Sequence, residues 1–245
     1  MYKGNKISVV VPAYNESGLI GTTLSNMPNY IDHIIVIDDG SIDNTSSIIA
    51  EYVTKDSRIE LIRHSKNNGV GAAIISGYKK SMEHNVDIAA VMAGDNQMDP
   101  DELPKLLDPI IDNITDYSKG NRLFSKKYRE GMSMWRFFGN TILTFLTKLA
   151  SGYWQLQDPQ NGYTAISKNA LEAIDWDKIF PYYGYCNDIL INLNVQGMRN
   201  IDIPIPARYR NEKSKIKYGP YIVKVSWLLA RGFFYRLKMK YLKHD

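Results

Sequence analysis

Residues Ile7–Glu16 read ISVVVPAYNE. Ile7 to Val11 is a continuous apolar, β-branched run, the pattern of a strand buried on both faces rather than one that alternates, and Pro12 ends it. Polar groups and an acid follow at once. The same layout recurs twice: HIIVI (His33–Ile37) runs into Asp38-Asp39-Gly40-Ser41, and DIAAVM (Asp87–Met92) runs into Ala93-Gly94-Asp95-Asn96-Gln97. Between them lie a helical pattern from about Ser17 to Met27 (Leu19, Ile20 and Leu24 on one face), a second marked by Ile48, Ile49, Tyr52 and Val53, a strand at Ile59–Arg63 and a third helix at Gly71–Met82. Strands separated by helices of this length predict an α/β protein whose central sheet is mostly parallel, with right-handed crossovers. Ligands of such sheets bind beyond the carboxyl ends of the strands, where PAYNE, DDGS and AGDNQ all fall.

The second half is less regular. Trp135–Leu149 is a helix with aromatic and aliphatic residues on more than one side, and Ser151–Gly162 is rich in Gly, Asn and Pro. A helix at about Asn187–Val195 leads to an alternating strand, Asn200–Pro206, and Tyr221–Leu242 reads as a helix that is apolar and basic together. There is no internal repeat or low-complexity tract. Residues 1–206 are expected to form one domain, with 207–245 a basic loop and amphipathic helix packed on it.

The 245 residues carry a formal charge of +4, divided unevenly: +9 from Arg208 onward and −5 before it. A basic tail suits phosphate or an anionic membrane. In its second part Ile222, Val223, Trp227, Leu228, Leu229, Phe233 and Phe234 alternate with Lys224, Arg231, Arg236, Lys238 and Lys240, as in a helix lying on lipid headgroups. One cysteine, Cys186, excludes an intramolecular disulfide framework and favours a reducing compartment. No stretch reaches the roughly 18 apolar residues a spanning helix needs, and no export signal is expected.

The strand-end motifs carry the chemistry. In VIDDGSIDNT (Val36–Thr45) two adjacent carboxylates repel and call for an outside partner, such as ribose hydroxyls or the N–H groups of a base; a plain turn with Ser41 or Asp43 as N-cap is the simpler alternative. In VMAGDNQMDPDEL (Val91–Leu103), Asp95 and the amide of Gln97 are hard oxygen donors suited to Mg²⁺ or Mn²⁺ arriving with a diphosphate. Asp99 is expected only to cap the helix that begins at Pro100.

These segments, in this order and spacing, resemble the nucleotide-sugar-binding half of family-2 glycosyltransferases with the GT-A fold, most of all the dolichyl- and polyprenyl-phosphate sugar transferases. The resemblance runs from Ile7 to about Leu242. It implies that Pro12, Ala13, Tyr14 and Glu16 frame the base and ribose of a nucleotide-sugar donor, with Asp38 and Asp39 accepting further hydrogen bonds. The family's Asp-x-Asp element falls on Ala93-Gly94-Asp95, so its first carboxylate is missing, and Asp95 and Gln97 remain for the metal and diphosphate. GNR (Gly120–Arg122) is similar to the element whose arginine, with a second one in the next helix and a polar residue four further on, binds the acceptor phosphate; those places hold Arg122, Arg136 and Asn140. RYRNEKSK (Arg208–Lys215) is similar to the basic loop over the donor diphosphate, which brings in Arg208, Arg210 and Lys215. DPQNGYTA (Asp158–Ala165) and YCNDIL (Tyr185–Leu190) complete the set, with Asp188 at the place of the general base in members that use hydroxyl acceptors.

The implied activity is inverting transfer of a hexose-type sugar from a UDP- or GDP-linked donor to a polyprenyl or dolichyl phosphate. Asp95, Asp188, Arg122 and Arg136 are the expected catalytic set, and Mg²⁺ or Mn²⁺ the cofactor. The setting would be peripheral, on the cytoplasmic face of a membrane, with room for a separate anchoring subunit and no nucleic-acid partner. Two rivals differ in kind: the same fold acting on a sugar hydroxyl, which needs a base, and a non-catalytic sugar-nucleotide-binding protein, suggested by Ala93. A nucleotidyltransferase lacks its glycine-and-arginine loop here. KNNGVGAA (Lys66–Ala73) has Ile74 where a dinucleotide fingerprint needs glycine, and His33, His64, His84 and His244 lack zinc spacing with one another or with Cys186.

Overall fold

The computed structural model describes residues 1–124, 134–206 and 218–242. Its described strands form one seven-stranded sheet: β1 (Ile7–Ala13), β2 (His33–Asp38), β3 (Ile59–Arg63), β4 (Ile88–Val91), β5 (Tyr117–Asn121), β6 (Thr164–Ser167) and β7 (Asn200–Pro204), in the order β3-β2-β1-β4-β6-β5-β7. Pairing is parallel among β1 to β4 and between β5 and β7, whereas β6 runs antiparallel to both its neighbours, β4 and β5. The mostly parallel α/β sheet read from the sequence is therefore present.

The helices are α1 (Ile20–Ser25), α2 (Thr45–Lys55), α3 (Val70–Glu83), α4 (Leu103–Ile111), α5 (Met134–Ser151), α6 (Lys168–Ala173), α7 (Tyr185–Val195) and α8 (Tyr218–Leu237). Side chains alternate across a strand, so β1 feeds two cores. Ile7, Val9 and Val11 pack with Leu24, Ile49, Leu106 and Leu107 on one face, and Val10 packs with Ala73, Ile74, Tyr78 and Leu190 on the other. α3 presses on β1 at Gly77, where a Cβ would lie 2.1 Å from Val10 Cγ1. Any side chain there would push helix from sheet.

A third, smaller cluster of Ala150, Ile191, Val225 and Leu229 joins α5, α7 and α8. Arg236 takes part in that junction. It was expected among the headgroup-facing cations, but it is 9% exposed, and its Nε and Nη2 donate to the carbonyls of Ala150 (2.9 Å) and Leu149 (3.1 Å). The carbonyls at a helix end lack intrahelical partners and carry the negative pole of the helix dipole. Arg236 therefore closes the end of α5 and does not reach outward.

α1 is shorter than its apolar periodicity predicts. The backbone N–H groups of Asn15, Glu16 and Ser17 donate to Ser41 Oγ (3.0 Å) and Asp43 Oδ2 (3.2 Å) of the loop after β2 and to Thr45 Oγ1 (2.8 Å) at the start of α2, which holds that stretch out of the helix. α8 ends at Leu237 and continues as one π-helical turn, Lys238–Leu242.

Candidate active site

The carboxyl ends of β1 and β2 are clipped into one surface. Besides the three bonds above, Asn15 Oδ1 accepts from Ile42 N (2.9 Å) and Asp39 N donates to Ala13 O (2.9 Å). Asp43 also takes the backbone N–H and hydroxyl of Thr45. Desolvation works against its ionisation, yet the hydrogen bonds from Thr45 and Ser17 outweigh it and hold the carboxyl down at about 2. Pro12 and Ala13 are the last buried residues of β1, and Tyr14 and Glu16 follow half-buried at the rim.

Asp38 and Asp39 are both buried. Asp38 Oδ1 accepts from Ser41 N (2.9 Å), Oδ2 takes the Ser46 hydroxyl, and Arg63 Nε stands 3.5 Å away. Asp39 Oδ1 meets His64 Nδ1 (2.6 Å) and Asn68 N (3.0 Å), while Oδ2 accepts from Gly69 N (2.8 Å). The outside partner that two adjacent acids call for is therefore in large part the protein itself. A carboxylate has about four acceptor positions, so each keeps little capacity for a nucleoside. Beside them an open cleft of about 490 Å³ is lined by Gly40, Ser41, Ile42, Arg63, His64 and Ser65.

The turn after β4 meets the end of β1 directly. Gly94 N donates to Pro12 O (3.0 Å), and a Cβ on Gly94 would stand 3.2 Å from Ala13 Cβ and 3.0 Å from Ile20 Cδ1. Asp95 follows, its Oδ1 accepting from Gln97 N (3.1 Å) across Asn96, which has φ 55°. Asp99 caps the single 3₁₀ turn Pro100–Glu102 by accepting from Asp101 N (3.1 Å), the structural role expected of it. Among the described residues no three His, Cys, Asp or Glu side chains are placed to hold a metal. One carboxylate and one amide suit a hard cation that takes its remaining ligands from a diphosphate and water. They fit a cation delivered with the nucleotide and do not fit a resident all-protein centre.

Toward the β7 edge of the sheet, Arg122 leaves the end of β5 and turns onto Asp158. Its Nε meets Oδ2 at 2.8 Å and Nη2 meets Oδ1 at 3.0 Å, and its backbone N–H also donates to Oδ2 (3.1 Å). Asp158 is 1% exposed. Desolvation opposes its charge, but Arg122 and Lys119 prevail and lower its carboxyl below the ordinary value. Fully buried Lys119 donates to the carbonyl of Asp158, and Asp202 Oδ2 accepts from the N–H groups of Gln157 (2.7 Å) and Asp158 (3.2 Å). The same turn reaches α7 and α8: Gln160 Nε2 donates to Asn187 Oδ1 (2.7 Å), and the Tyr221 hydroxyl donates to Gln160 Oε1 (3.0 Å).

Residues 8–175 match the family described as Glycosyl transferase family 2. The chain belongs to glycosyl transferase family 2. A UDP-N-acetylglucosamine–dolichyl-phosphate N-acetylglucosaminyltransferase of Methanococcus voltae is 33% identical over 216 residues, covering 83% of this chain and 86% of the relative. A dolichol-phosphate mannosyltransferase of Pyrococcus furiosus is 28% identical over 221 residues, 86% of this chain and 59% of that one. Among solved structures, glucosyl-3-phosphoglycerate synthase from Mycobacterium tuberculosis with Mn²⁺ and UDP-glucose superposes with a TM-score of 0.69 at 21% identity, covering 95% of this chain and 79% of that one. The fold is thus the GT-A fold read from the motifs, and the protein is a glycosyltransferase.

In this glycosyltransferase Asp188 sits in the first turn of α7. Its Oδ2 accepts from Phe180 N (2.8 Å), Asn192 Nδ2 lies 3.4 Å from Oδ1, and burial pushes its carboxyl up against the pull of Phe180 N and Arg231. The Phe180–Tyr182 loop in turn lies on the start of α3, where Ala72 N donates to Pro181 O (2.8 Å) and a Cβ on Gly71 would stand 2.7 Å from that carbonyl oxygen. Asp39 holds Asn68 and Gly69 at the same helix start, so Asp39 and Asp188 anchor the two ends of one bridge. No local pattern announces that connection.

Arg136 and Asn140 lie on α5, but their side chains are outside the described residues, as are Arg208, Arg210 and Lys215 altogether. Sequence reasoning named the DPQNGYTA segment without assigning Asp158 a role, and passed over Lys119, Gln160, Asn187 and Asp202. The available signal was the nearness of Lys119 to Arg122, the expected acceptor arginine.

Proposed function

We propose that this family-2 glycosyltransferase moves a hexose-type sugar from a UDP- or GDP-linked donor to a polyprenyl or dolichyl phosphate, with inversion, while bound peripherally at the cytoplasmic face of a membrane. The observation that supports the reading is the meeting of the β1 and β4 ends, Gly94 against Pro12 and Ala13, with Asp95 the next residue of that turn. The named activities of the Methanococcus and Pyrococcus relatives support the donor and acceptor classes.

In this scheme Pro12, Ala13, Tyr14 and Glu16 hold the nucleoside, and the remaining acceptor capacity of Asp38 and Asp39 assists. Asp95 and Gln97 hold Mg²⁺ or Mn²⁺ against the diphosphate. When bound, the cation neutralises charge that develops on the leaving group. Arg208, Arg210 and Lys215 add positive charge to the same diphosphate, and Arg122, Arg136 and Asn140 take the acceptor phosphate. An acceptor phosphate oxygen attacks the anomeric carbon from the face opposite the nucleotide; the anomeric C–O bond breaks and its electron pair leaves with the nucleoside diphosphate. A phosphate monoester with a second pKa of about 6 is largely dianionic near neutrality, so no base is required.

Asp188 then acts by holding the Phe180–Tyr182 loop. A hydroxyl acceptor is the second reading, favoured by the burial-raised carboxyl of Asp188, which suits a general base. The two separate cleanly in one assay: Asp188→Asn should keep transfer to a short polyprenyl phosphate within about fivefold, where loss of a general base costs about 10²- to 10⁴-fold. Wild-type protein supplied with UDP-GlcNAc, UDP-Glc and GDP-Man that labels no lipid phosphate would overturn the primary reading.

No helix among the described residues is long and apolar enough to cross a membrane. α8 instead exposes Val223, Trp227 and Phe234 on one stripe, with Arg231 over the Trp227 ring, and α5 exposes Ile142, Phe145 and Leu146. These stripes, with Lys224, Lys238 and Lys240 near them, support attachment to anionic headgroups. Trp227→Glu and Phe234→Glu should each weaken co-sedimentation with phosphatidylglycerol vesicles by about tenfold. Equal sedimentation of wild type and the double variant would refute the surface.

A further inference from the structure

We propose that Asp158 is the positioning residue of the acceptor half: it sets the plane of the Arg122 guanidinium, and Lys119, Asp202 and Gly120 leave it no slack. The inference rests on the reading of Arg122 as part of the acceptor-phosphate site. Every polar group of Asp158 is engaged. Its carboxylate takes three N–H groups of Arg122, its carbonyl takes the Lys119 ammonium and Asn161 N (3.2 Å), and its own N–H donates to Asp202. The turn also lies hard on β5, since a Cβ on Gly120 would come within 2.7 Å of Asn161 Nδ2.

The arrangement is a poor device for stability alone. Lys119 is fully buried, Asp158 1% exposed and the Arg122 side chain 20% exposed, while buried Asp202 Oδ1 has no hydrogen-bond partner among the described residues. Buried ionic groups of this kind are often replaceable by apolar residues without loss of stability, and their best-attested use is to specify geometry. Here the geometry specified is that of a fork. A guanidinium has five N–H donors in one plane, and fixing two of them through Nε and Nη2 fixes the direction of the other three. A phosphate arriving at the end of β5 then meets an oriented donor set and loses less freedom in ordering it.

Lipid-phosphate and donor kinetics of Asp158→Asn test this. The acceptor KM should rise about tenfold to a hundredfold, with the donor KM within about twofold, and Arg122→Ala combined with Asp158→Asn should be no worse than Arg122→Ala alone. A purely structural role would lower the melting temperature and the active fraction, and so kcat, and would leave the acceptor KM in place. Should Asp158→Asn not fold, Arg122→Lys carries the test, because it keeps the charge and removes the fork, and it should raise the acceptor KM by a similar factor. An unchanged acceptor KM in either folded variant, or additive effects in the double variant, overturns the inference while wild-type transfer stands. Wild type that transfers to no polyprenyl phosphate overturns the acceptor reading and this inference with it.

Discussion

Asp95→Ala is expected to lower kcat by about 10²- to 10³-fold, the range seen when one preorganised group facing developing charge is removed. The expectation is large because of what surrounds Asp95. The place two residues earlier, where the family's element carries its first acid, is Ala93, so no second carboxylate of that element stands ready to take over. Gly94 packs on Ala13 and Ile20 through its backbone, and within the turn the Asp95 side chain supplies the bond to Gln97 N. The variant should therefore fold with the wild-type circular dichroism spectrum. Steady-state transfer with saturating donor and Mn²⁺ or Mg²⁺ measures the effect, and calorimetry should show the metal-dependent part of donor binding gone. A kcat within threefold of wild type would remove Asp95 from the site.

Lys119→Met should be the most destabilising single change. Methionine fills a similar volume but leaves the Asp158 carbonyl without the ammonium, removes one of the two cations that act on buried Asp158, Arg122 being the other, and takes the Lys119 charge away from half-buried Asp202. Removing one partner from a buried ionic set costs about 3–5 kcal/mol. For a domain of this size that lowers Tm by about 6–20 °C. Lys79→Met is the control: its partner Asp177 is 82% exposed, and such a pair contributes about 0–1 kcal/mol. Equal melting shifts for the two variants would show the Lys119 knot to be energetically ordinary.

Which parts of the fold could be read in advance follows from where each strand finds its partners. β1, β2 and β4 are apolar runs buried on both faces, so their sequences announce them. β5, by contrast, reads YSKGN and is fully buried. Its polar atoms are satisfied at a distance, Ser118 Oγ by Leu106 O (2.6 Å), Lys119 by Asp158 and Asn121 Nδ2 by Gln157 (2.9 Å), and no local pattern encodes such pairings. β6 is four residues long, too short for a period to show. The site divides in the same way. PAYNE, DDGS and AGDNQ declare themselves at strand ends, whereas the polar knot behind Arg122 draws on β5, β7 and the turn before β6. Arg236 shows the limit of composition as a guide, since a cation in a basic helix became the closing group of another helix.

The reversal of β6 has a topological consequence. A strand that runs against its neighbours begins where they finish, so the connector entering β6 arrives at the same rim as the connectors leaving β4 and β5. Had β6 run with the others, the Asp158–Gly162 turn would lie at the far edge, some four residues of strand away from Arg122. One inverted strand thus lets an incoming loop and outgoing loops share a single opening. In the proposed scheme the donor side uses only exits, those of β1, β2 and β4, whereas the acceptor side joins the exit of β5, at Arg122, to the entrance of β6, at Asp158. On that scheme, changes in the entrance would alter the acceptor side and leave the turns after β1, β2 and β4 as they are.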